Sequence, residues 1–145
     1  EVARCESAFR SVSKAGVISS IGDGLLAVRR IAKGSLVAQF MGMVVSFEQS
    51  RELLEQGKGD YLVQCSVMHR LCVDGREATR DGSCFAGLAN TPRGLYLPET
   101  GWHPKVNAVL VFIDQRPCLR AKGDIEAGVE ILWTYGSGRT TAIRR

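Results

Sequence analysis

Short runs of strand-forming residues, most of them ended by glycine, dominate the pattern of hydrophobic and polar positions along this chain. Apolar runs of this length, bounded by turn residues, are typical of β-strands. Residues 60–75 read as two strands joined by a tight turn near Met68 and His69. Every position from Ala108 to Ile113 is apolar, which predicts a strand covered on both faces. The predicted strand regions are "GLLAVRRIA" (24–32), "KGSLVAQFMGMVVS" (33–46), "DYLVQCSVMHRLCVDG" (60–75), "NAVLVFID" (107–114), "CLRAKGDI" and "VEILWTYG".

One segment, "SFEQSRELLEQGKG", has the pattern of a helix. Ser46 is followed three residues later by Gln49, which is the spacing of a capping box. Phe47, Leu53 and Leu54 can share one apolar stripe, and a glycine at position 57 is placed to end the helix. The sequence therefore predicts one short helix over about residues 47–57.

The segment 91–106, "TPRGLYLPETGWHPKV", contains three prolines and two glycines and predicts a long loop. No internal repeat or low-complexity tract interrupts the chain. The fold class predicted from the pattern is mainly β, with a single domain over residues 1–145. Residues 1–16 are set apart as an N-terminal extension, 91–106 as an inserted Pro-rich loop and 137–145 as a basic tail.

Charge, cysteine and histidine spacing and the length of apolar runs argue against several classes of protein. The formal net charge is +4, and much of the excess lies in the C-terminal "GRTTAIRR", so no sequence-specific nucleic-acid binding is expected. Five cysteines and two histidines show no CxxC pair and no zinc-site spacing, so no metal is expected. Reduced thiols indicate an intracellular protein, and no apolar run suits a membrane span. The N-terminus lacks Met and a signal pattern, which suggests an internal excerpt of a longer protein.

Four segments, taken in chain order, resemble one known family. "GDGLLAVRRIAKGSLVAQFMGMVVS" is similar to its Gly-x-Gly turn and following strands, and "DYLVQC" with "CVDG" to its tyrosine-led strand pair. "AGLANT" is similar to its Arg-Phe-Ile-Asn-His-Ser segment, with "VNA" later, and "GDIEAGVEILWTYG" to its C-terminal motif. The chain thus resembles SET domains, the fold of protein-lysine methyltransferases, over residues 17–136. The resemblance implies several small twisted sheets and a C-terminal pseudoknot, which Asn107 helps to fasten.

The resemblance also implies which residues would act on the substrate. Tyr135 matches the catalytic tyrosine of the family, and Tyr61 is the candidate for a second hydroxyl at the lysine amine. Trp133 matches a channel position that helps to set the number of methyl groups transferred, and alternation along a strand would turn it the same way as Tyr135. From the residues alone, Tyr135 and Trp133 are equally well explained as interior packing residues, and Tyr61 as a packing residue of its strand.

The cofactor implied by the resemblance is S-adenosylmethionine. The Gly22, Asp23 and Gly24 turn and the Asn90 and Thr91 pair match its binding segments, although the turn would also suit a plain hairpin and Asn90 a plain turn. Thr91 replaces the histidine of the family. The 91–106 loop lengthens the knot. No aromatic residue follows position 138 to cover an adenine, so the cover would have to come from elsewhere in the chain, with Trp102 as the candidate.

The function implied is a lysine N-methyltransferase that acts on a histone tail or another nuclear protein, with other subunits of a chromatin complex as partners and the nucleus as location. The alternative is a catalytically inactive SET domain that serves as a binding or assembly module. In that case Tyr61, Trp133 and Tyr135 could form an aromatic cage for a methylated lysine. An unrelated β-rich binding domain is the third possibility, and it predicts no cofactor pocket.

Overall fold

The computed structural model describes residues 1–59, 61–66, 70–92, 95–98, 100–101, 104–114 and 116–134. Its helices are α1 (Phe47–Glu55) and α2 (Arg76–Asp81), and a 3₁₀ turn follows at Ala86–Leu88. Its strands are β1 (Val2–Glu6), β2 (Arg10–Val12), β3 (Ile18–Ser20), β4 (Asp23–Ala27), β5 (Leu36–Gln39), β6 (Met43–Ser46), β7 (Leu62–Ser66), β8 (Leu71–Asp74), β9 (Leu95–Tyr96), β10 (Ala108–Ile113) and β11 (Arg116–Ala121).

The strands form small antiparallel sheets in the orders β1-β4, β10-β11-β5, β3-β2-β9 and β6-β8-β7. This arrangement confirms the mainly β class and the set of small sheets. The first sixteen residues contribute β1 and β2, and β1 pairs along its whole length with β4, from Val2 opposite Ala27 to Glu6 opposite Asp23. The N-terminal segment is thus part of the sheet that carries the Gly22 to Gly24 turn.

The main apolar core joins the sheets β1-β4, β10-β11-β5 and, through Val63, β6-β8-β7, and it extends from β4 to the C-terminal end of the described chain. Burying a large apolar side chain stabilises the fold by roughly 1.5–3 kcal/mol, so this cluster is the main source of stability. The largest apolar side chains that are fully buried in it are Trp133, Leu25, Leu119, Ile125, Ile131 and Val63.

The predicted helix is confirmed, together with its cap. The Ser46 hydroxyl accepts from the Gln49 backbone N–H at 3.1 Å, and the Gln49 side chain accepts from the Ser46 N–H at 2.8 Å. Phe47, Leu53 and Leu54 pack on one small cluster of β6, β7 and β8. The helix ends two residues before position 57, where the glycine has φ +73°.

The predicted pair of strands in 60–75 is also confirmed as β7 and β8, which run antiparallel. Residues 67–69, where the turn was predicted, lie outside the described residues. Strand β8 lies between β6 and β7, so its Cys72 and Val73 are buried.

The prediction of a single helix is wrong, because α2 follows β8 directly. Arg76, Glu77 and Ala78 are good helix formers, and Gly82 ends the helix in the left-handed conformation at φ +85°. Six residues are too few to show an amphipathic period, so the hydrophobic pattern gave no signal for this helix.

Two strand predictions are also wrong. The apolar strand β10 is not covered on both faces, since Val109 to Phe112 are only partly buried and Ile113 is 47% exposed. Residues 129–134 do not form a strand, because their backbone bridges different partners in turn. Glu130 bridges Leu26, and Leu132 then bridges Asn90.

Three further segments differ in detail from the prediction. The loop 91–106 contains β9, which pairs with β2 at Arg10 and Ser11. The strand region 33–46 is divided into β5 and β6 around Gly42, which has φ +155° and lies so close to the Asp74 carbonyl that a Cβ would clash with it. Strand β4 ends at Ala27, earlier than the pattern suggests.

Candidate functional site

The glycine turn leads into β4, with Gly22 before the strand and Gly24 at its second position, and the two glycines meet different requirements. Gly22 adopts φ +83°, a conformation that favours glycine, and the space around its Cα is open. A Cβ on Gly24 would lie 2.8 Å from the Glu130 carboxyl oxygen Oε2, so this position requires glycine for close packing. The Gly22 carbonyl accepts from the Ser7 N–H at 2.9 Å, which ties the turn to the end of β1.

A buried polar cluster lies directly beneath this turn. Glu130, which is 9% exposed, accepts from the Ser7 hydroxyl at 2.8 and 3.0 Å and from Asn90 Nδ2 at 3.2 Å. Asn90 Nδ2 also donates to the Asp23 carbonyl at 3.0 Å. Burial, followed by the negative charge of Glu130, raises the pKa of the neighbouring Cys5 thiol. The cluster therefore fixes Asn90 against the glycine turn.

Glu130 is the residue of this site that the sequence interpretation missed. The available signal was a carboxyl group inside the otherwise apolar run "GVEILW", because a charged residue in a buried strand-like segment requires hydrogen-bond partners. Its partners, Ser7 and Asn90, lie far away in the sequence, so the pattern alone could not identify them.

The C-terminal segment 130–133 is held by two asparagines. The Asn107 side chain donates to the Glu130 carbonyl at 2.9 Å and accepts from the Leu132 N–H at 2.8 Å. The Asn90 carbonyl accepts from the Trp133 N–H at 3.0 Å. These contacts lie where the resemblance places the C-terminal knot, and they bring segment 130–133 beside the glycine turn.

Trp133 lies in the interior. It is 1% exposed, its ring centroid lies 5.3 Å from that of Phe40, and its Nε1 donates to the Ala89 carbonyl at 3.2 Å. These are the contacts of an interior packing residue, and the place of Trp133 beside a substrate channel stays a prediction. Tyr135 lies outside the described residues, so the pairing of these two side chains along a channel stays a prediction.

Four of the predicted site residues border one cavity of about 340 Å³, here called the glycine-turn cavity. They are Asp23, Tyr61, Asn90 and Thr91, and Ile21 and residues 87–89 complete the lining. Gly22 and Gly24 shape the turn beside this cavity without lining it. Tyr61 is half-buried, and its ring passes so close to Gly87 that a Cβ there would lie 3.2 Å from Cδ1.

The polar groups of this cavity suit a ligand that carries hydrogen-bond donors. Asp23 contributes a carboxylate, although its Oδ2 is paired with Arg4 at 2.7 Å. The side-chain NH₂ group of Asn90 donates to Glu130 and to the Asp23 carbonyl. Its side-chain oxygen Oδ1 is therefore the acceptor left for a ligand. Thr91 adds a hydroxyl.

In the part of the chain that the structure describes, no group of three or more His, Cys, Asp or Glu side chains could hold a metal ion. None of its helices combines the length and apolar character that a bilayer crossing requires.

Comparisons with known proteins agree with this architecture. The SET domain family model matches residues 22–136, which is most of the chain. No curated protein matches the chain significantly.

Solved structures with a similar fold include two of the Polycomb Repressive Complex 2. A humanized mutant of the complex from Chaetomium thermophilum, bound to an inhibitor, matches 96% of this chain with TM-score 0.61 and 20% identity. An active complex in the basal state matches 97% with TM-score 0.64 and 20% identity. The match spans only 15% and 16% of those chains, so the similarity is one of fold.

Proposed function

Because this chain belongs to the SET-domain family of protein-lysine methyltransferases, we propose that it methylates a lysine of a histone or another nuclear protein, with S-adenosylmethionine as methyl donor. The observation that carries the proposal is the glycine-turn cavity. Asp23, Tyr61 and the Asn90–Thr91 pair come from three distant parts of the chain and line one space.

The residues of this cavity fit the amino-acid end of the cofactor. The Asp23 carboxylate and the side-chain oxygen Oδ1 of Asn90 can accept from an ammonium group. The open backbone at Gly22 allows close approach of a ligand without a Cβ in the way. Glu130 and Ser7 hold Asn90 and the turn in place before a ligand arrives, which reduces the entropic cost of binding.

The chemistry requires a neutral lysine amine in line with the donor. A free lysine has a pKa of about 10.4, so only about one amine in a thousand is neutral near physiological pH. When bound, the cofactor supplies an electrophilic methyl group attached to a positively charged sulfur. The half-buried Tyr61 contributes a partly desolvated wall, which disfavours the ammonium form, and its hydroxyl can orient the amine.

Tyr135 is proposed as the catalytic phenol at the end of the lysine channel. It follows Trp133 by two positions, and Trp133 is fixed in the core by Phe40 and the Ala89 carbonyl. Trp133 is larger than the Phe or Tyr of the family at this position, so we propose that it restricts the number of methyl groups transferred.

Transfer of a radiolabelled methyl group to histones or nuclear extract tests the proposal. Tyr135→Phe should lower the rate by about a hundredfold, because removal of one positioned hydrogen-bond donor costs factors of this size. Tyr96→Phe is the matched control, since Tyr96 lies in β9 and does not line the glycine-turn cavity. Equal labelling by the original chain and Tyr135→Phe would refute the role of Tyr135.

A catalytically inactive binding module is the second candidate, and one observation favours it. The Asp23 carboxylate already pairs with Arg4 at 2.7 Å, and Thr91 replaces the family's histidine, so the cofactor groups have fewer free partners here. Calorimetric titration with S-adenosylmethionine separates the two candidates. Absence of binding by the folded chain at saturating cofactor would favour the module.

The partners follow from the same proposal. The structures of similar fold named above are of the Polycomb Repressive Complex 2, and this chain spans about a sixth of the chains it matches. We therefore propose other subunits of a chromatin complex as partners and the nucleus as location. Co-purification of the tagged chain from nuclear extract, compared with cytosolic extract, tests both.

A further inference from the structure

A second cavity, of about 260 Å³, adjoins the glycine-turn cavity and shares Asp23 and Tyr61 with it. Four cationic side chains line it, namely Arg4, Lys58, Arg76 and Arg80, against the single carboxylate of Asp23. We call it the basic cavity. Its wall thus carries a clear excess of positive charge next to the predicted lysine site.

Two of these four cations are already compensated. Arg4 pairs with the Asp23 carboxylate at 2.7 Å and donates to the Thr79 carbonyl at 2.9 Å, which links β1, β4 and α2. Arg80 pairs with Glu77 on the exposed face of α2 at 3.4 Å. Both groups therefore have a counter-ion within the chain.

Lys58 and Arg76 are the uncompensated pair. Neither has a carboxylate within 4.0 Å among the residues that the structure describes. Asp74 and Glu77 line a third cavity together with Lys58, Arg76 and Arg80, and neither carboxylate is within ion-pair distance of Lys58 or Arg76. Two positive charges that face one partly enclosed space favour the entry of an anion.

Thr79 provides an independent sign of a ligand site in the same wall. The residue is 3% exposed, and its Oγ1 has no hydrogen-bond partner within the described part of the chain. Buried hydroxyl groups are nearly always paired, and Thr79 belongs to the lining of the basic cavity, so we take an acceptor on a ligand as the missing partner of this hydroxyl. The residue at position 87 packs against this hydroxyl and must be glycine, since a Cβ there would clash with it.

We propose that the basic cavity binds a carboxylate side chain of the protein substrate, an Asp or Glu near the target lysine. This inference rests on the proposed function, because Tyr61 connects the basic cavity to the predicted lysine site. The amino-acid end of the cofactor carries an ammonium and a carboxylate together, whereas the excess of cations here matches a side chain of net negative charge. The cavity would thus select substrates with an acidic residue beside the lysine.

Binding of short lysine peptides to the full chain tests the inference without requiring methyl transfer. A glutamate is moved position by position on either side of the lysine, with glutamine at the same position as comparator, and affinity is measured by fluorescence anisotropy. At the matching position we expect about a tenfold preference for glutamate, the size of one charge-assisted hydrogen bond. Arg76→Gln and Lys58→Gln should each remove most of this preference.

The controls distinguish binding of a substrate carboxylate in the basic cavity from binding of the cofactor carboxylate there. Arg29→Gln removes an arginine whose side chain is 77% exposed and that does not line the basic cavity, so it should keep the preference. Thr79→Val should weaken glutamate peptides while thermal denaturation shows an intact fold. S-adenosylmethionine is titrated into the same variants by calorimetry.

Three results would overturn the inference: equal affinity for glutamate and glutamine peptides at every position, a preference that survives Arg76→Gln and Lys58→Gln, or a loss confined to cofactor affinity. The last result would assign the basic cavity to the cofactor. Failure of methyl transfer alone would contradict the proposed function but leave a charge-dependent peptide preference, so the two failures are distinguishable.

Discussion

At the residue scale, the site depends on contacts too close to admit an extra atom. Gly24 and Glu130 show this, since the glycine Cα packs against the carboxyl group that also holds Ser7 and Asn90. An unpaired buried polar group costs roughly 1–3 kcal/mol, so the cluster is stable only while all of its members are in place. The two glycines of the Gly-x-Gly pattern are therefore required for different reasons, Gly22 for its backbone conformation and Gly24 for close packing.

Gly24→Ala should destabilise the fold by about 1–3 kcal/mol, because the new methyl group would displace Glu130 Oε2 and Asn90 Nδ2 from a buried cluster. Cofactor affinity should fall together with stability, since Asn90 lines the glycine-turn cavity. Urea denaturation and calorimetry measure the two effects. Gly123→Ala is the control, because nothing lies within 4 Å of a Cβ there, and an equal loss in both variants would contradict the packing argument.

At the element scale, the sequence predicted best those elements whose signals are local. The α1 cap is set by residues three positions apart, Ser46 and Gln49, so the pattern revealed it in full. The prediction of a strand over residues 129–134 was wrong, because the hydrogen-bond partners of this segment lie in three distant parts of the chain. The coverage of β10 likewise depends on what packs above the sheet, and apolar residues alone do not reveal this.

The same distinction between local and distant signals applies to the prediction of site residues. Motif positions such as Asp23, Asn90 and Thr91 could be chosen from the sequence, and the structure places them on one cavity with Tyr61. Glu130 and the basic cavity could not be chosen, because their meaning arises from residues that meet only after folding. Ser7 and Glu130, for example, are separated by 123 positions.

Asp124 connects two turns and gives a prediction about pH. It accepts from the Lys33 backbone N–H at 2.8 Å and from Arg30 at 2.7 Å, beside the bridge between Ile31 and Ile125. The Lys33 hydrogen bond, followed by the charge of Arg30, lowers the pKa of the Asp124 carboxyl below its usual value. The folded state therefore holds this proton less tightly than the unfolded state does.

The resulting stabilisation is complete above the ordinary pKa of aspartate, about 4, and is lost as the pH falls through the lowered folded value. Asp124→Asn should accordingly make the acid side of the stability curve shallower and lower the urea midpoint at neutral pH. Denaturation midpoints measured across the acid range check this. Asp114→Asn is the comparator, since Asp114 makes no side-chain hydrogen bond or ion pair among the described residues, and a curve unchanged by Asp124→Asn would contradict the assignment.

At the scale of the whole molecule, the recognisable family segment and the folded unit have different boundaries. The family match begins at residue 22, but β1 pairs with β4, Arg4 reaches α2, and Ser7 holds Glu130. Phe9 is 6% exposed and packs with Leu95 and Leu132 in a separate small cluster. We therefore propose that residues 1–16 fold as part of the same domain as the rest of the chain.

Removal of residues 1–16 tests this proposal. The truncated chain would lose the β1 pairing, the burial of Phe9, worth roughly 1.5–3 kcal/mol, and the Ser7 hydrogen bonds to Glu130. Losses of this size equal much of the free energy of unfolding of a small domain, about 5–15 kcal/mol, so we expect no cooperative unfolding transition. A truncated chain with the urea midpoint of the full chain would show that the segment is dispensable.

Point variants locate the effect within the segment, where deletion alone cannot. Phe9→Ala should cost about 3–5 kcal/mol, the usual range for loss of a buried phenylalanine, and should loosen the contacts with Leu95 and Leu132. Val12→Ala is the matched control, because Val12 is 50% exposed and a surface change is normally within about 0.5 kcal/mol. If both variants unfold at the same urea concentration, the stabilising role of the N-terminal segment must come from its backbone pairing with β4 instead of its apolar contacts.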